Sequence, residues 1–83
     1  MSNLARNPKQ IGNLIRQARK ERSLSQAQLG EKTGLRQATI SQIETGNPAA
    51  TMETILAVLA VLDLEFRIVR RSKGTAAAIE DIF

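Results

Sequence analysis

The sequence predicts an all-α domain of four to five helices, followed by one C-terminal β-strand that pairs across a homodimer. Three observations lead there. Apolar residues recur at helical spacing in successive stretches, most of them opened by a capping residue. After Asp63 the period changes from helical to alternating. The chain has 83 residues and no cysteine or histidine, so neither a disulfide nor a Cys/His zinc site braces its small core. Self-association is the common staple that is left.

The first helix is expected from Pro8 to about Glu21, with Asn7 as its cap and proline at the first helical position. Ile11, Leu14, Ile15 and Ala18 form its inward stripe, while Lys9, Arg16 and Lys20 on the other side read as a solvated face. Ser25-Gln26-Ala27-Gln28 is a capping box that starts a second helix. That helix ends within nine residues at Gly34, which can take the left-handed conformation of a helix terminus. Gly30, in its middle, costs about 1 kcal/mol relative to alanine and implies a second backbone passing close by, with the third helix as the expected neighbour.

The third helix should cover about Gln37 to Thr45, with Ile40 and Ile43 inward and Gln37, Ala38, Ser41 and Gln42 outward; Gly46-Asn47-Pro48 ends it. Thr51 caps a fourth helix to about Leu62, where Met52, Ile55, Leu56, Leu59 and Leu62 make one apolar stripe and Ala57, Val58 and Val61 lie on other sides. A helix apolar most of the way round must be buried on more than one face, and so short a chain cannot cover both. Val58 and Val61 are therefore assigned to a dimer interface.

In the expected strand, Leu64, Phe66 and Ile68 fall on one side and Glu65, Arg67 and Val69 on the other. A solitary strand leaves both edges unpaired, so pairing with its own symmetry mate places Leu64, Phe66 and Ile68 at the interface as well. The competing reading is that this stretch simply extends the fourth helix. The organisation is thus a domain over 1–63, a dimerisation strand over 64–71 and a flexible tail over 72–83, whose Ile79, Ile82 and Phe83 lie beside Glu80 and Asp81.

The formal net charge is +4, and it is unevenly placed: residues 1–50 carry a net +5 and residues 51–83 a net −1. An anionic partner is expected. Without cysteine or histidine the chain lacks thiol nucleophiles, Ser-His and Cys-His dyads and the usual neutral-pH base, so an enzyme is not expected, nor is a cofactor. No apolar run approaches 18 residues and no signal-peptide core is present, which predicts a cytoplasmic protein.

The second helix, a tight turn at Gly34-Leu35 and the short third helix form a helix-turn-helix, the geometry that lays a second helix in the DNA major groove. The run Leu24-Ser25-Gln26-Ala27-Gln28-Leu29-Gly30, Gly34-Leu35 and Ala38-Thr39-Ile40-Ser41-Gln42-Ile43-Glu44-Thr45-Gly46 resembles the phage-repressor and Cro family of helix-turn-helix domains. The resemblance covers about residues 8–63; one departure is Gly30, where the family usually has alanine. Gln37-Ala38-Thr39-Ile40-Ser41 after Gly34, the strand and the short length are most similar to HipB-type antitoxins. That resemblance implies a dimeric repressor of a palindromic operator whose partner is a HipA-like serine/threonine kinase toxin.

The candidate DNA-contacting set is Ser25, Gln26, Arg36, Gln37, Ala38, Thr39, Ser41, Gln42 and Asn47. Gln37 and Gln42 each offer a donor and acceptor that match adenine N6 and N7, Arg36 suits guanine O6 and N7 or a phosphate, and Ala38 can meet a thymine methyl. By resemblance Gln26 holds a phosphate and supports Gln37, with Ser25 and Ser41 near the backbone. Also by resemblance, Arg19 and Glu44 form a partly buried salt bridge with a structural role. An alternative function is a protein-interaction module that keeps the fold and does not bind DNA.

Overall fold

The computed structural model describes residues 4–47 and 50–71. They form four helices, α1 (Pro8–Glu21), α2 (Gln26–Thr33), α3 (Gln37–Glu44) and α4 (Met52–Val61). The expected starts are all met. Asn7 Oδ1 accepts from the Gln10 amide at 2.8 Å, and Thr51 Oγ1 accepts from the Thr54 amide at 3.1 Å. Ser25 and Gln28 close a reciprocal capping box, with Gln28 N–H to Ser25 Oγ at 3.0 Å and Ser25 N–H to Gln28 Oε1 at 2.8 Å.

Each helix ends in the same way, with a left-handed residue that turns the chain and a backbone bond reaching back over the last turn. Gly34 and Gly46 serve α2 and α3 at φ 75° and 89°. Ser23 and Asp63 serve α1 and α4 at φ 56° and 59°, positions where a β-carbon is strained. The returning bonds run from Leu24 N–H to Arg19 C=O, Leu35 N–H to Gly30 C=O, Asn47 N–H to Gln42 C=O and Leu64 N–H to Leu59 C=O, at 2.8–3.1 Å.

The core is a single aliphatic cluster of Ile15, Leu29, Ile40, Ile43, Val58 and Leu62. Fully burying a side chain of this size contributes about 1.5–3 kcal/mol, so the four helices, each too short to persist alone, are held by tertiary packing. The glycine expected to meet a neighbouring backbone does so. A β-carbon on Gly30 would stand 2.6 Å from Leu35 C=O, so the neighbour is the turn into α3 rather than the helix itself.

Two expectations for α4 are corrected. The inward stripe is Val58 and Leu62, which are buried, with Ile55 and Leu59 half-buried beside them, whereas Met52 and Leu56 are exposed. Val58 is 0% exposed within one chain and so belongs to the core, not to a dimer interface; Val61 is half-buried against the same core. A helix apolar all round offers more than one stripe at helical spacing, and its contact with α2 selects this one. Met52, Leu56 and Ala60, four residues apart, are left as an exposed apolar row.

Residues 64–71 continue the chain as an exposed, non-helical segment, so the extension of α4 through them does not occur. Glu65 and Arg67 lie on one side of the segment, with Arg67 Nε 3.4 Å from Glu65 Oε2, as a period of two requires. Among the described residues no strand is present, and a β-ladder needs a second strand that one chain does not supply. The tail over 72–83 lies outside the described residues.

Candidate DNA-binding surface

The turn between α2 and α3 sets the surface. Gly34 in the left-handed conformation reverses the chain over Leu35 and Arg36, and α3 then starts without a side-chain cap. Arg36 is thus exposed and spends none of its donors on the helix end. Gln37 and Ala38 come next, also exposed, and Gln42 joins them one turn later. On the opposite side Ile40 and Ile43 anchor the helix in the core at 0% and 3% exposure. One side of a two-turn helix is fixed and the other is presented.

The remaining candidates are placed less uniformly. Thr39 and Ser41 are half-buried on the flanks of α3, and Thr39 lines a shallow cleft with Gln42, Ala50, Thr51 and Thr54. Ser25 is exposed at the start of α2, where its oxygen already accepts the capping bond and its hydroxyl proton remains available as a donor. Asn47 is half-buried beyond the far end of α3, beside Pro8, Ile11, Ala50 and Met52, and is not brought together with Arg36 and Gln37.

Gln26 departs from the expected arrangement. Its Nε2 donates to Glu44 Oε1 at 3.2 Å rather than to Gln37. Glu44 is also the partner of Arg19, through Nε to Oε2 at 2.6 Å and Nη2 to Oε1 at 3.0 Å, a two-point fork between side chains 9% and 2% exposed. Arg19 Nη1 donates in addition to Leu24 C=O at 2.7 Å. The pair therefore ties α1, the approach to α2 and the end of α3 together, and among the described residues no buried side-chain polar atom lacks a partner. Burial of this pair is deeper than the family resemblance implied.

Gly12 is a residue that sequence reasoning missed. It lies on α1 where the backbone of α3 passes, and a β-carbon there would collide with Ile43 C=O and stand 2.6 Å from Glu44 C=O. Its signal was present as a glycine in mid-helix on the apolar face, the same cue used for Gly30.

Comparison with known proteins agrees with this architecture. The model of the helix-turn-helix family matches residues 15–69. The antitoxin HipB of Escherichia coli (strain K12) is 33% identical over 57 residues, 69% of this chain and 65% of that protein, so the match spans slightly less than two thirds of the relative. A solved complex of a HipB variant with an O2 20mer superposes with a TM-score of 0.78 at 28% identity, covering 87% of this chain and all of that one. The HipA-HipB-O2-O3 complex gives 0.76 at 28% identity over 83% and 97% of the two chains. SinR, the master regulator for biofilm formation, in complex with DNA gives 0.61 at 36% identity over 66% and 89%. With the capped helix pair, the Gly34 turn and the buried Arg19–Glu44 fork in place, the chain belongs to the helix-turn-helix family and is similar within it to HipB.

Proposed function

We propose that the protein is a homodimeric, sequence-specific DNA-binding repressor that acts as the antitoxin of a HipA-like kinase toxin. The observation that carries this reading is the divided α3, whose exposed side begins with Arg36, Gln37 and Ala38 on a helix locked from behind. Arg36 and Gln37 have the donor and acceptor geometry that reads guanine and adenine edges in the major groove. Ser25, Gln26, Thr39, Ser41 and Gln42 flank them, and the basic front half of the chain supplies long-range attraction to phosphate. Two copies would present two such helices about one helical turn of DNA apart, matching a palindromic site. The HipA-HipB-O2-O3 complex among the structural relatives supports a HipA-like partner. A cytoplasmic location is consistent with that pairing.

The test is fluorescence anisotropy with duplexes from the region upstream of the protein's own gene, titrated with salt. Binding to one duplex well above random DNA, with affinity falling by roughly 0.9 log units per log unit of salt for each phosphate engaged, is the expected result. Absence of duplex binding at low salt would favour a protein-interaction module on the same fold. Co-expression with a kinase encoded alongside tests the second half: a stable co-purifying complex is expected, and two separately eluting proteins would refute it.

A further inference from the structure

Glu44 receives more than its ion-pair partner. Its Oε1 accepts from both Arg19 Nη2 and Gln26 Nε2, at 3.0 and 3.2 Å. The carboxylate cannot turn to suit Gln26, because the Arg19 fork holds both its oxygens and Arg19 is itself held by Leu24 C=O. An ionised carboxylate only accepts hydrogen bonds, so Gln26 can approach it only with its NH₂ end. The carbonyl end of the amide must then face away. A free glutamine amide has no such preference between its two orientations.

That orientation matters because a phosphodiester oxygen is also an acceptor. Gln26 is the first residue of α2, half-buried, and one of its two amide protons is committed to Glu44. We propose that Glu44 is a positioning residue for DNA binding: it fixes the Gln26 amide so that the second N–H, not the carbonyl, meets a DNA phosphate oxygen. This rests on the DNA-binding reading above and adds to it a route by which a buried carboxylate improves contact with an anion. Repulsion between two acceptors is avoided because the orientation is set before DNA arrives.

A double-mutant cycle separates this role from simple stabilisation. Duplex affinity is measured for the unvaried chain, Gln26→Ala, Glu44→Gln and the double variant, at a temperature where far-UV circular dichroism shows all four folded. Gln26→Ala should weaken binding about tenfold, and Glu44→Gln about as much in the unvaried background. In the Gln26→Ala background, Glu44→Gln should add no more than about twofold. An equal loss in both backgrounds overturns the proposal and leaves Glu44 as scaffold. If Gln26→Ala binds normally while Gln37→Ala does not, positioning is overturned and DNA binding stands; no duplex binding by the unvaried chain overturns the DNA-binding reading and with it this one. Should Glu44→Gln fail to fold, ¹⁵N NMR of the unvaried, DNA-free chain still decides: one protected, shifted Gln26 side-chain N–H is expected, and a Gln26 amide indistinguishable from those of Gln37 and Gln42 refutes the fixed orientation.

Discussion

Gly12 of α1 and Ile43 of α3 approach so closely that a β-carbon on residue 12 would collide with the Ile43 carbonyl oxygen. That approach brings Arg19, two turns further along α1, within reach of Glu44 at the end of α3. Gly12→Ala is expected to lower stability by about 1–3 kcal/mol through overpacking, even though alanine is the better helix former by about 1 kcal/mol. Urea unfolding followed by far-UV circular dichroism measures it; a variant more stable than the parent would show that α1 and α3 can move apart freely.

Gly34 and Ser23 occupy the same left-handed conformation for opposite chemical reasons. A β-carbon on Gly34 meets nothing within 4 Å, so Gly34→Ala should cost about 1 kcal/mol from backbone strain alone. Ser23 carries that strain already at φ 56°, and Ser23→Gly should gain up to about 1 kcal/mol, partly offset by the greater unfolded-state entropy of glycine. Thermal midpoints moving in the same direction for both variants would contradict the assignment.

Gln37→Ala removes a paired donor and acceptor from an exposed position that contributes nothing to the core. Affinity for the preferred duplex should fall by about 1–3 kcal/mol and the base preference at one position of each half-site should relax. Competition against single-base variants of the duplex reads this directly. Uniform weakening on all sequences would mean that Gln37 touches only the backbone of the DNA.

Deleting residues 64–83 should weaken dimerisation, because Leu64, Phe66 and Ile68 are exposed in one chain, Ile68 to 88%. An axis at Arg67 would set Glu65 against Val69 of the partner subunit and lose the charge pairing, whereas with the dimer axis near Phe66, Glu65 would lie opposite Arg67 of the partner subunit at both symmetric positions, worth roughly 0.2–1 kcal/mol each. Within one chain these two already share a side, which that register requires. Sedimentation velocity of the truncated chain should show a shift toward monomer and a parallel loss of operator affinity; a dimer as tight as the full-length chain would assign dimerisation elsewhere.

Local chemistry made most of this fold legible. Asn7-Pro8, the Ser25/Gln28 box and Thr51 each mark a helix start through side-chain bonds to neighbouring amides, and Gly34 marks an end because few other residues accept its conformation. The left-handed Ser23 and Asp63 carried no such mark, since their conformation is imposed by the path of the next few residues rather than preferred by the residue itself. Orientation of α4 was not legible either. Its sequence is apolar at Met52, Ile55, Leu56, Val58, Leu59 and Leu62 alike, and only packing against the rest of the chain decides which are buried. On the candidate surface, Ile40 and Ile43 lie inward and Gln37, Ala38 and Gln42 outward as helical spacing predicts, while Ser41, expected outward with them, is half-buried. The bond from Gln26 to Glu44 was not, because it joins residues 18 apart in sequence through a turn angle that no local pattern encodes.

The lengthwise division of α3 separates two kinds of information in eight residues. Ile40, Ile43 and Glu44 hold the helix to the rest of the molecule, while Arg36 makes no capping bond and Gln37, Ala38 and Gln42 are exposed. The exposed set can therefore be exchanged for the corresponding residues of another family member without disturbing the core, as surface changes away from caps and packing usually alter stability by less than about 0.5 kcal/mol. On the DNA-binding reading, a recognition code carried in this way would be interchangeable, and its meaning could be rewritten while the scaffold is kept.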